Sequence, residues 1–193
     1  MNYFLIAGEA SGDLHASNLM KGILASDPDA QFRYLGGDHM ASVAKEGMFL
    51  HFRRTNIMGL FQVLFHFPAI IKNFRIVRRE IRAFRPDAVI LVDYAGFNLR
   101  IARFASRSGF RVFYYIAPKV WVWRKGRIEK LKRYVDRLFV IFPFEVDFFQ
   151  RHGMEAEYTG NPLMDSVTGY YSRKPSRQSF LEKHELSDKP MVA

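Results

Sequence analysis

Three short stretches carry residue types that could do chemistry, and each follows directly on an apolar run. The first is Gly8 Glu9 Ala10 Ser11 Gly12 Asp13. Glycines four apart let the backbone turn tightly, and the free amides at a helix start would hold an anion or a hydroxyl-rich ligand. Gly8, Glu9, Ser11 and Gly12 are the substrate-binding candidates here. The same residues also read as a plain strand-to-helix turn, capped by Ser11 or Asp13, with the helix starting after them. The dinucleotide fingerprint is absent, because it needs a glycine where this chain has Ala10. The second stretch is Asp93 Tyr94 Ala95 Gly96 Phe97 Asn98. Ligands of open α/β sheets sit outside the carboxyl ends of the strands, so Asp93 is placed to act as a general base. Its other reading is an N-cap or loop acceptor for a helix starting near Phe97. The third stretch runs from Tyr115 to Arg124 and holds both tryptophans, Trp121 and Trp123, beside Lys119, Arg124, Lys125 and Arg127. Aromatic faces interleaved with cations suit a sugar or phosphate, and equally suit single-stranded nucleic acid. Packing of at least one tryptophan into the core is the plainer alternative.

Elements that would position these residues are legible as short apolar runs alternating with amphipathic ones, the pattern of strands crossed over by helices around a parallel sheet. Strands are expected over residues 3–7, 31–36, 87–93, 111–116, 137–142 and 156–159. The run Ala88 Val89 Ile90 Leu91 Val92 is continuous, as it is when both sheet faces are covered. From Pro68 to Arg85 the positions Ile70, Phe74, Val77, Ile81 and Phe84 recur at helical steps and define a core stripe. Lys72, Arg75, Arg79 and Arg82 recur on another face of that helix as a basic ridge. Pro86 disfavours the α region at Arg85 and ends it. A last helix is expected from Ser176 to about Leu186, with a strand starting at Met191 Val192 Ala193. The fold class is α/β, doubly wound around a parallel sheet.

With 49% hydrophobic and 16% aromatic residues among 193, the chain is too apolar to be disordered. It has no cysteine, which excludes disulfides, thiolate nucleophiles and cysteine-held zinc. The N-terminus has no basic lead and only a five-residue apolar run, so it does not read as a secretory signal. The richest apolar stretch is broken by His66, Pro68 and Lys72, short of the roughly 20 residues a membrane span needs. A net charge of +10 calls for an acidic partner: nucleic acid, an anionic membrane face or a phosphorylated substrate.

Taken in order, Gly8 to Asp13, Asn56 Ile57 Met58 Gly59, Asp93 with Phe97 Asn98, Pro118 to Arg124, Pro143 Phe144 Glu145 and Gly160 Asn161 Pro162 form a pattern that resembles lipid A disaccharide synthase. The likeness covers nearly all of residues 1–167. The chain departs from it at Tyr94 Ala95 Gly96, where many relatives carry a proline and a second acid.

The resemblance implies a GT-B architecture, two Rossmann-like domains facing across a cleft, of which residues 1–170 would form the acceptor-side N-terminal domain. Residues 171–193 would be a linker helix and the start of the C-terminal domain, which holds the donor and an essential arginine beyond residue 193. The implied reaction moves 2,3-diacylglucosamine from its UDP carrier onto 2,3-diacylglucosamine 1-phosphate and inverts the anomeric centre, without a metal or other cofactor. Asp93 takes the position of the family's essential aspartate. Asn56, Asn98, Trp123, Arg124 and Asn161 join the first glycine-rich stretch as substrate-binding candidates. The apolar run Leu60, Phe61, Leu64, Phe65 and Phe67, leading into Lys72, Arg75, Arg79 and Arg82, is the expected membrane-docking patch. That makes the protein cytoplasmic, peripheral on the inner face of the inner membrane, with an anionic bilayer and not nucleic acid as its partner. The fragment alone is expected to be inactive. Rival readings are a nucleotide-dependent oxidoreductase, from the fold alone, and a basic nucleic-acid binding module.

Overall fold

The computed structural model describes residues 1–54, 67–120, 126–171 and 175–188. It divides into two compact units, Met1–Gly160 and Asn161–Ala193. The second contributes helices α7 (Pro162–Tyr171) and α8 (Arg177–Lys183). The latter is capped by the Ser176 hydroxyl oxygen, which accepts from the Ser179 amide at 3.1 Å.

In the first unit seven strands form one parallel sheet. They are β1 (Asn2–Ala7), β2 (Gln31–Gly36), β3 (Met48–His51), β4 (Ala88–Val92), β5 (Arg111–Tyr115), β6 (Arg137–Val140) and β7 (Glu157–Tyr158), in the order β3-β2-β1-β4-β5-β6-β7. Helices α1 (Ala10–Ser26) and α2 (Asp38–Val43) link the first three strands, and their Met20 and Met40 pack with Leu5, Tyr34 and Ile90 on one face. Helices α3 (Phe67–Phe84), α4 (Ala95–Arg107), α5 (Gly126–Tyr134) and α6 (Pro143–Arg151) follow. On the other face Val77 and Ile81 of α3 and Leu99 and Ile101 of α4 meet Phe4, Ile6, Val89 and Leu91. All five residues of β4 are buried, as its unbroken apolar run requires. The expected doubly wound Rossmann-like fold is the fold observed.

Expected strands end one or two residues early where another interaction takes over. Asp93 and Ile116 turn out of β4 and β5 with φ of 43° and 63°. β6 stops at Val140 because the buried Glu145 carboxylate takes the amides of Ile141 and Phe142 and caps α6. β3 was not expected. Its half-buried Met48 Phe49 Leu50 His51 lies at the sheet edge and pairs on one side only, so no strong apolar run marks it.

Helix α3 matches its periodicity and ends at Phe84, before Arg85 and Pro86. Val77 and Ile81 are buried, while Lys72, Arg75, Arg79 and Arg82 are exposed. Helix α3 is tied to α4, through Arg82 of the ridge and through residues outside it: the guanidinium carbons of Arg78 and Arg82 lie 5.1 and 5.0 Å from the Phe104 ring centroid, and that of Arg100 lies 5.7 Å from that of Phe74. Leu60, Phe61, Leu64 and Phe65 fall outside the described residues, as does the side chain of Phe67.

Helix α1 begins at Ala10, inside the glycine-rich stretch and not after it. Glu9 is the extended N-cap, and neither Ser11 nor Asp13 caps the helix. Asp13 instead caps its neighbour. Buried to 2% exposure, its carboxylate accepts from the amides of Gly37 (2.7 Å), His39 (2.9 Å) and Met40 (3.1 Å) at the start of α2. Only glycine fits at 37, since a Cβ there would lie 2.3 Å from Phe52 and 2.8 Å from the Asp13 carboxylate. An unpaired buried amide costs roughly 1–3 kcal/mol, so Asp13→Ala should destabilise the fold by about 3 kcal/mol or more. Asp13→Asn, which keeps an acceptor oxygen, should cost less. Urea denaturation checks this, and an Asp13→Ala midpoint near wild type would contradict it.

Candidate active site at the carboxyl end of the sheet

After β3 the chain crosses back to β4 on the far side of β1, so the connections leaving β1 and β4 diverge. Doubly wound sheets bind ligands at this switch point. Ala7, Val92, Tyr115 and Phe139 stand level across four strands, so Gly8, Asp93 and Ile116 emerge side by side. A cleft of about 410 Å³ opens there, lined by Asp93, Ala95, Ile116, Ala117, Pro118, Lys119 and Arg127.

Asp93 reaches this cleft through an uncommon backbone. It and Tyr94 both have left-handed φ, 43° and 45°, a conformation that costs an L-residue roughly 1–2 kcal/mol. The turn persists because it is tied on every side. The Asp93 amide donates to Tyr115 O at 3.0 Å. Its carbonyl accepts from the Tyr114 hydroxyl at 2.6 Å and from Asn98 Nδ2 at 2.9 Å, and the same Asn98 nitrogen reaches Val92 O at 3.1 Å. Burial and then the Asp93 charge push the Tyr114 hydroxyl well above the ordinary tyrosine range, which keeps it a donor. Tyr94 is the N-cap of α4 and lies over Gly8, where any Cβ would come within 2.3 Å of its ring. The ring stack continues from Tyr94 to Phe97 (5.6 Å between centroids) and on to Phe74 (4.2 Å).

With its backbone held, the Asp93 side chain is left to the cleft, and it is not the N-cap of α4. Burial, and next the neighbouring Glu9 charge, raise its carboxyl above the ordinary carboxylate value, against the lowering effects of the Tyr94 amide and Lys119. A carboxylate short of hydration beside a second acid is a stronger proton acceptor than one in water.

The other sequence candidates divide by position. Glu9 is half-buried and accepts from the exposed Ser11 hydroxyl at 2.9 Å. Gly8 and Gly12 are buried, the first under Tyr94. Asn98 is fully buried, with its amide nitrogen spent on the turn that carries Asp93 and its Oδ1 without a hydrogen-bond partner among the described residues. Asn161 opens the second compact unit, where its Oδ1 accepts from the Leu163 amide at 3.0 Å. Asn56, Trp123 and Arg124 lie outside the described residues. Tyr114's part is not legible in the sequence, since an aromatic in a buried strand reads as packing.

Because Asp93 is pushed upward, the folded state binds its proton more tightly than the unfolded chain does. The ionised carboxylate therefore weighs against stability above its folded pKa, and has no such effect below the unfolded value of about 3.9. Asparagine tolerates positive φ, so Asp93→Asn should raise the Tm at pH 8 and leave it unchanged at pH 3. Thermal denaturation at the two pH values checks this, and a Tm at pH 8 equal to or below wild type would contradict it.

The family model for lipid-A-disaccharide synthetase matches residues 3–188. A lipid-A-disaccharide synthase of Geobacter metallireducens is 43% identical over 176 residues, 91% of this chain and 46% of that protein. That of Coxiella burnetii is 35% identical over 189 residues, 98% of this chain and 49% of its own length. The chain thus spans about half the length of the curated relatives it matches. Among solved structures it is similar to a UDP-GlcNAc 2-epimerase from Methanocaldococcus jannaschii in complex with UDP-GlcNAc and UDP (TM-score 0.66, 13% identity, 95% of this chain and 54% of that one). It is also similar to the Neisseria meningitidis UDP-GlcNAc 2-epimerase bound to UDP-GlcNAc (TM-score 0.65, 11% identity, 95% and 53%). At such identities these likenesses carry the fold alone, a Rossmann-like domain of GT-B type. Matched over almost its whole length, the chain belongs to the lipid-A-disaccharide synthetase family.

Proposed function

We propose that this chain is the acceptor-side half of a glycosyltransferase of lipid A assembly, with Asp93 as its general base. The whole protein would move 2,3-diacylglucosamine from its UDP carrier onto 2,3-diacylglucosamine 1-phosphate. Asp93 takes the proton of the acceptor hydroxyl as that oxygen attacks the anomeric carbon. The bond from that carbon to the UDP oxygen breaks with its electron pair, UDP leaves, and the anomeric centre inverts. The observation that carries this is the Asp93 carboxylate, fixed by a strained turn in the cleft at the carboxyl ends of β4 and β5 and made more basic by burial and Glu9.

Residues 1–170 are proposed as the acceptor domain and residues 171–193 as the linker into a donor domain, so this chain alone should form no disaccharide. In the full-length protein Asp93→Asn should lower kcat by about 10² to 10⁴ and keep the fold. Since the base works only when ionised, turnover should fall on the acid side with an apparent pKa above that of an ordinary carboxylate. Glu9→Gln removes the adjacent negative charge and should move that limb to lower pH, while Lys119→Met should move it higher. Wild-type kcat in Asp93→Asn would remove the base from the mechanism.

The membrane belongs to the same proposal. No helix among the described residues is long and apolar enough to cross a bilayer. The exposed Lys72, Arg75, Arg79 and Arg82 form a basic ridge on α3, directly after the apolar run from Leu60 to Phe67. Such a pairing suits peripheral attachment to an anionic cytoplasmic leaflet, each cation near the surface adding about 1 kcal/mol. Co-sedimentation with phosphatidylglycerol vesicles should weaken in a Phe65→Ser, Phe67→Ser variant and at high salt. Binding indifferent to both would overturn the attachment.

A further inference from the structure

A second cleft, of about 510 Å³, opens along β3 and is walled by His51, Arg53, Arg54 and Asp38 together with Met48, Phe49 and Leu50 of the strand. We propose that this cleft binds the phosphate monoester of the acceptor sugar while the sugar's hydroxyl faces Asp93. The proposal rests on the acceptor-side function given above and adds the residues that would hold the phosphate.

The donors are preset. The Arg53 amide donates to His51 Nδ1 at 3.1 Å, which makes that nitrogen an acceptor and leaves the ring proton on Nε2. That Nε2 points at Asp38 Oδ1, 3.4 Å away, and an Arg53 guanidinium nitrogen lies 3.8 Å from Asp38 Oδ2. Both contacts are long for charge-assisted bonds, and the Asp38 and Arg53 side chains are 77% and 75% exposed. Such a pair contributes little stability and is readily exchanged for a better anion. Arg54 has no carboxylate within ion-pair distance among the described residues. Two guanidiniums against one carboxylate leave the cleft positive, and a fork of guanidinium donors fits a phosphate better than a single carboxylate oxygen.

The His51 side of the cleft is packed against the core. The His51 ring lies 4.8 Å from that of Phe52, and Phe52 is buried against Gly37, whose amide is held by Asp13. The ends of β3 and β4 are three strand spacings apart, about 14 Å. One hexose and its phosphate, reached by an arginine side chain, suit that span along the rim.

Titration of the isotope-labelled chain with glucosamine 1-phosphate tests this without turnover. His51 and Arg53 resonances should shift with the sugar phosphate and not with glucosamine. The Arg53→Gln, Arg54→Gln variant should bind roughly tenfold or more weakly, the loss expected for charged hydrogen bonds. Asp38→Asn should bind more tightly, since it removes the competing acid. Phosphatidylglycerol vesicles provide the other phosphate source, and their binding should be the same in the double variant and in wild type. Equal affinity for glucosamine 1-phosphate in wild type and the double variant would overturn the proposal. So would a double variant that loses vesicle binding alone, which would make the cleft a lipid headgroup contact. Sugar phosphate binding here without disaccharide formation by the full-length protein would instead remove the catalytic reading and leave the site standing.

Discussion

The site depends on the hydrogen bonds that hold the Asp93 carbonyl. Two consecutive left-handed residues are unfavourable, and nothing local to Asp93 and Tyr94 makes them adopt that conformation. The Tyr114 hydroxyl from β5 and the Asn98 amide from α4 both donate to that carbonyl, and Asn98 also holds Val92. Both donors are buried, so releasing the turn would strand polar groups in the core. The turn then directs one carboxylate into the cleft and one ring over Gly8. The raised proton affinity of Asp93 follows from where this places it, half out of water and beside Glu9.

This explains which parts were legible in the sequence. The continuous run Ala88 to Val92, followed at once by Asp93, marked both a buried strand and an acid at its carboxyl end. The 3.6-residue periodicity of α3 marked its core stripe and its basic ridge, and Pro86 marked its stop. β3 escaped because an edge strand needs no strong apolar run. Glycine and serine point to a loop and a later start of α1, whereas the backbone turns at Glu9 and Ser11 already lies in the helix. Asp13 and Asn98 illustrate the remaining gap. Asp13 reads locally as a cap of its own helix, and the resemblance implies Asn98 as a ligand contact, yet their partners are Gly37 to Met40, and Val92 with Asp93, contacts fixed only once the sheet is assembled.

The same sheet supplies two anchors of opposite chemistry along one rim. At the β4 end a partly desolvated carboxylate is suited to accept a proton, and at the β3 end cations are suited to hold an anion. Between them Gly37 and Gly8 keep side chains from the rim except for the rings of Phe52 and Tyr94 that lie over them. A phosphorylated acceptor laid along this rim would have its charge and its reacting hydroxyl recognised by different strands, which sets its direction relative to the base.

The clamped turn presents Asp93 as a carboxylate of raised proton affinity. Carbon-13 NMR titration of the Asp93 side-chain carboxyl in this chain measures that directly, with a Tyr114→Phe variant as comparison. The wild-type midpoint should lie above the ordinary aspartate value, and nearer to that value once the hydroxyl that holds the turn is removed. A wild-type Asp93 titrating at or below the ordinary aspartate value would contradict it.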